Sequence, residues 1–178
     1  MTSWLQKILQ GRATVFKNFF ALGILQGTNF LIPLIIMPYL IGTVGIEGYG
    51  IISFVQAVMI YFYSFTDYGF AITATRQIAI KKNDQAYLSE VFNRVITTKA
   101  FLTLIAALII FLLVLTVSKF RQEELAFLFG FSIVIGQSAL PTWFFQGVER
   151  MKYITYINLS AKILFTILIF VFVNEKDD

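Results

Sequence analysis

The sequence predicts an all-α, polytopic helical membrane protein, and three observations carry that prediction. Of the 178 residues, 58% are hydrophobic and 13% charged, and mean hydropathy is +0.78. A soluble domain carries about 45–50% apolar and about 25% charged residues. Too little polar surface remains to clothe a water-facing globule, and too much apolar surface for a disordered chain. Second, five stretches reach the length of about 20 apolar residues that crosses a ~30 Å hydrocarbon core. Third, nothing alternates in the ~10-residue segments of a membrane barrel strand.

The five helices are expected near residues 18–41, 49–74, 96–117, 125–146 and 153–173, within one membrane domain spanning 1–178. The first carries Pro33 and Pro38, each removing a backbone donor and favouring a bend. Gly23 and Gly27 form a small-xxx-small pair that admits a close neighbour. The third is the most apolar: residues 101–117 contain no charge, and almost nothing polar lies between Leu104 and Leu115, so it is expected to face lipid. The fourth is interrupted by Gln137, Ser138, Pro141 and Thr142. Two flanking pieces show helical spacing of apolar residues. One is an interfacial lead-in with Trp4, Leu5, Ile8 and Leu9. The other, 84–98, carries Leu88, Val91, Phe92, Val95 and Ile96 and either extends the third helix or lies along the membrane surface. The apolar run after the basic N-terminus is too long for a signal peptide.

Lys and Arg set the orientation. Lys7, Arg12, Lys17, Arg76, Lys81, Lys82, Arg94, Lys99, Arg150 and Lys152 fall on one side, against Lys119, Arg121 and Lys176 on the other. The N-terminus is therefore expected in the cytoplasm. The net charge of +4 is a topology signal, and no nucleic-acid partner is expected.

Polar side chains inside a bilayer are costly and face a bundle interior or a wet cavity. At 100° per residue, Tyr49, Ser53, Gln56, Tyr63 and Asp67 share one stripe of the second helix. The stripe reads either as a lumen wall or as a row of interhelical hydrogen bonds. Gln26 and Asn29 share a face with Pro33. Ser138, Thr142, Gln146 and Glu149 align on the fourth helix, and Thr155, Asn158, Lys162 and Thr166 on the fifth. Asp67 falls near the cytoplasmic interface, either as a structural partner for Lys17 or as a proton, cation or gate site. Lys162 lies ~9 Å deeper than Tyr156. It either snorkels to the interface or offers a cation to an anionic substrate.

The chain has neither His nor Cys. That removes the commonest general base, the commonest zinc ligand and any thiolate site. No nucleophile–base pair, glycine-rich phosphate loop or intramembrane carboxylate pair is present. No catalytic, metal or cofactor site is expected, and the chain is not expected to be an enzyme.

Two stretches carry a resemblance. Residues 48–79, G-Y-G-I-I-S-F-V-Q-A-V-M-I-Y-F-Y-S-F-T-D-Y-G-F-A-I-T-A-T-R-Q-I-A, look like the second helix of the polysaccharide transporter family. Residues 141–155, P-T-W-F-F-Q-G-V-E-R-M-K-Y-I-T, resemble its junction between fourth and fifth helices, and N-F-L-I-P-L-I-I-M-P-Y-L at 29–40 is similar to its first. This is the family of Wzx-type flippases of O-antigen and related surface polysaccharides, within the larger group that holds the MATE multidrug extruders.

The resemblance implies a two-lobed protein of about a dozen helices around a central cavity. It also implies transfer of undecaprenyl-diphosphate-linked oligosaccharide across the bacterial inner membrane. This chain, most of one lobe, is then expected to be an N-terminal fragment or truncated product. Gln26, Asn29, Ser53, Gln56, Tyr63, Asp67, Arg76, Gln146, Asn158 and Lys162 are the substrate-cavity candidates, with Lys162 or Arg76 drawing the diphosphate. Expected partners are the lipid-linked oligosaccharide, membrane lipids and a polysaccharide polymerase complex. The alternatives are a MATE-like cation-coupled exporter, a membrane transferase or polymerase on the same lipid carrier, and a non-transporting assembly subunit. The lack of His and of a long loop argues against the transferase.

Overall fold

A computed structural model describes residues 2–173, with side chains left undescribed for 2–18, 21, 22 and 25. The lead-in side chains Trp4, Leu5, Ile8 and Leu9, the proposed Asp67 partner Lys17, and the acidic stretch beyond Val173 lie outside the described residues. Every described element is helical: α1 Thr2–Asp67, α2 Phe70–Ile80, α3 Gln85–Thr116, α4 Ser118–Gln122, α5 Glu124–Ala139, α6 Thr142–Gly147 and α7 Met151–Phe172. Among the described residues, four runs are long and apolar enough to cross a membrane, beginning with Gln26–Ile80. That first run is far longer than one crossing needs, and it is broken at Gly45, whose φ of 80° and ψ of 170° suit only glycine. The chain is a polytopic helical membrane protein.

Two compact units divide the chain. The first holds residues 2–44 and α7. Pro33 and Pro38 both sit within continuous helix. The Tyr39 hydroxyl donates to the Val173 carbonyl at 2.8 Å, and its ring lies 4.4 Å from that of Phe170.

The second unit, residues 45–148, has two apolar clusters stacked along its helices. Residues 46–67 rise about 33 Å at 1.5 Å per residue, enough to cross the ~30 Å core unaided. Their buried face, Val55 and Met59, packs on Ala106, Ile110 and Val114 of α3 and on Phe127, Phe131 and Val134 of α5. The third helix thus turns one face inward. Leu104, Leu108, Phe111, Leu112 and Leu115 remain exposed on the other, as lipid-facing residues would be. Gly130 lets α5 close on Val55, whose Cγ1 occupies the space a Cβ would need.

The second cluster lies beyond this span. Ala74 and Ile78 of α2, Leu88, Val91 and Val95 of α3, and Trp143 of α6 form it. The segment 85–98 is the first part of α3, capped by Asp84, whose carboxylate accepts from the Tyr87 amide at 3.1 Å. Where the second helix is expected to run on to residue 74, Tyr68 (φ 45°) and Gly69 (φ 80°) turn left-handed and α2 begins afresh. The fourth is likewise divided at Leu140–Pro141, because a residue before proline is pushed out of the helical region.

Candidate functional site

Between the two clusters of the second unit lies a layer of polar groups. Lys99 is 2% exposed and its Nζ lies 3.0 Å from Oδ1 of Asp67, which is 15% exposed. The other oxygen, Oδ2, accepts from the Ala71 amide at 3.4 Å. Asp67 therefore holds both a cation and the start of α2, whose first amides lack intrahelical partners. The Lys99 ammonium also stands 5.9 Å from the centre of the Tyr63 ring. Beside this pair the buried Thr66 and Ser138 hydroxyls meet at 2.9 Å, and Thr66 donates to the Tyr63 carbonyl at 2.9 Å. Ser138 then supplies the proton between them. A buried ion pair survives desolvation only when hydrogen bonds reach its own members, as the Ala71 amide does for Asp67.

The remaining candidates of this unit are spread out. Ser53 is half-buried and Gln56 exposed, about 140° and about 80° round the helix from the Val55–Met59–Thr66 seam. Arg76 stands exposed on α2, and Gln146 is half-buried on α6. Two recesses occur here, of about 440 Å³ along Ile96, Ala100, Thr103, Ile135 and Ser138, and about 310 Å³ at Gln85, Ser89, Phe92 and Phe144. Neither is lined by any of the ten candidates.

The first unit gathers a second polar group. Lys162, eleven residues into α7 and so about 16 Å along it, donates from Nζ to Oδ1 of Asn29. The Asn29 amide in turn donates to Oε1 of Gln26 at 3.4 Å. Asn158, one turn before Lys162, spends its amide on the Ile154 carbonyl of its own helix at 2.9 Å. One turn beyond, the Thr166 hydroxyl is buried without a hydrogen-bond partner among the described residues. Gln26, Asn29 and Lys162 are thus brought together, and Tyr63 and Asp67 are brought together elsewhere.

Lys99 is the residue whose part the sequence reading misses. That reading places it just inside the third helix and counts it among the basic residues of one side, whereas the structure buries it in an ion pair with Asp67. The available signal was depth: opposite charges at the same end of consecutive antiparallel helices meet if they share a face.

Residues 15–178 match the model of the family described as "Polysaccharide biosynthesis protein". A protein of Escherichia coli (strain K12) named "Putative O-antigen transporter" is 34% identical over 162 residues, covering 91% of this chain and 39% of its own length. One of Shigella dysenteriae with the same name is 28% identical over 166 residues, covering 91% and 40%. The chain spans about two fifths of the length of these curated relatives. No solved structure matches. A family match over residues 15–178, on a chain with apolar helices of spanning length, leaves one assignment: the chain belongs to the polysaccharide biosynthesis protein family.

Proposed function

We propose that this chain is part of a transporter that flips undecaprenyl-diphosphate-linked oligosaccharide across the bacterial inner membrane for O-antigen or capsule synthesis. The observation that carries the proposal is Lys162, a cation about midway along a spanning helix and held by the Asn29 amide. A lysine near a bilayer centre costs ~2.5–3.5 kcal/mol on insertion scales. An amide partner orients an ammonium without neutralising it, so the charge remains available to an anion. In low dielectric that attraction is strong. The diphosphate is the substrate's anion, and the Gln26 side-chain nitrogen, at the end of the Lys162–Asn29–Gln26 chain, is the amide donor offered to sugar hydroxyls. The names of the relatives support the same reading. No bond is made or broken, so the activity is not enzymatic, and alternating access is rocking of packed helices about the site. A polysaccharide polymerase is the proposed downstream neighbour, with the N-terminus in the cytoplasm.

The test is Lys162→Ala in cells whose surface polysaccharide depends on the gene encoding this chain. Loss of display at unchanged membrane protein level is expected, with partial display in Lys162→Arg. Normal display in the Ala variant would reduce Lys162 to an interface anchor and sink the proposal.

A further inference from the structure

Helix α2 carries two apolar faces. Ala74 and Ile78 are buried against α6, where Gly147 leaves room for Ile78: a Cβ there would stand 2.6 Å from its Cγ2. On the opposite side, at 100° per residue, stand Ile72 (78% exposed), Arg76 and Ile80 (71% exposed), preceded by Tyr68 at 76%. A soluble protein would bury or replace such a row. The position of α2 says what covers it. Residues 46–67 already use up the ~30 Å core, so α2 starts where the hydrocarbon ends. Ile72 and Arg76 then lie within about 8 and 14 Å of Asp67 along the chain, inside or just below the headgroup layer. A row of Ile with a guanidinium in its middle matches that layer: alkyl groups meet the acyl boundary while a fixed cation meets phosphate. Lys81 follows directly, its ammonium 4.3 Å from the centre of the Tyr87 ring, adding charge at the same end.

We infer that the Ile72–Arg76–Ile80 face of α2 is a docking surface for anionic phospholipid headgroups, with Arg76 its phosphate ligand. The inference rests on the membrane embedding and not on the transport reading. It also assigns Arg76 to bulk lipid rather than to the diphosphate of a carried substrate.

The chain has no cysteine, so Ile72→Cys gives a single site for a bimane label at no cost to the core. The labelled full chain is reconstituted in phosphatidylcholine vesicles containing headgroup-spin-labelled phosphatidylglycerol or, at equal mole fraction, spin-labelled phosphatidylcholine. Quenching is expected to favour phosphatidylglycerol by about fivefold, the equivalent of ~1 kcal/mol per basic side chain near an anionic surface. Arg76→Gln should cut the ratio at position 72 sharply, leaving only what Lys81 adds, and Arg76→Lys should keep it. Equal quenching by both lipids, quenching by neither, or a preference unchanged by Arg76→Gln would each overturn the inference. So would quenching relieved by undecaprenyl diphosphate with no preference between the phospholipids, which would return Arg76 to the substrate.

Discussion

Lys99 and Asp67, thirty-two positions apart, form an ion pair of 3.0 Å in which the lysine is 2% exposed. The pair joins the arm 46–67 to α3 at the boundary between the two apolar clusters. Removing one partner of a buried pair leaves an uncompensated charge and costs about 3–5 kcal/mol, whereas replacing both with apolar groups is often neutral. Asp67→Leu is therefore expected to lower the melting temperature in detergent sharply, and Asp67→Leu with Lys99→Met to recover most of the loss. Asp67→Leu also removes the acceptor of the Ala71 amide, so recovery should stop short of complete. Equal melting temperatures for the single and double variants would show that the pair has no energetic coupling.

The Thr66–Ser138 contact gives a neutral counterpart. Thr66→Val strands a buried Ser138 hydroxyl at about 1–3 kcal/mol, while Thr66→Val with Ser138→Ala removes both polar groups and should be near neutral. A double-mutant cycle on thermal unfolding reads the difference, and additive losses would contradict the paired arrangement.

Helix α5 carries its own control for close packing. A Cβ at Gly130 collides with Val55, whereas one at Gly136 meets nothing within 4 Å. Gly130→Ala is expected to cost about 1–3 kcal/mol through overpacking and to be relieved by Val55→Ala. Gly136→Ala should be neutral or stabilise by about 0.5–1 kcal/mol through helix propensity. Unfolding of the purified chain in detergent ranks the variants, and an equal response at both glycines would refute the seam.

Topology is tested by fusion reporters. With Lys99 withdrawn into an ion pair, the remaining basic asymmetry still predicts a cytoplasmic 81–84 and an outer Glu123 turn. A reporter after Lys82 should be active only in the cytoplasm and one after Glu123 only outside. Opposite activities would invert the orientation.

Membrane embedding was legible in residues 1–178 without any coordinates, because it depends on totals. Apolar length against bilayer thickness, and scarcity of charge, are sums over a window that no packing can alter. The face alignment of Asn158, Lys162 and Thr166 was legible too, since helical geometry alone places residues three or four apart together. The meeting of Asn29 with Lys162 and of Asp67 with Lys99 was not, because each joins helices far apart in sequence whose rotation about their own axes is set by packing. For Asp67 and Lys99, within the second unit, three local features settled that packing. The left-handed turn at Tyr68–Gly69 ended a helix that periodicity alone would continue, Pro141 divided another, and Gly130 and Gly147 set how closely neighbours approach. Periodicity carries no information on which of two apolar faces meets protein and which meets lipid. Only the fold turned Ala74 and Ile78 inward and left Ile72 and Ile80 exposed, because burial depends on what stands opposite a face and not on its composition.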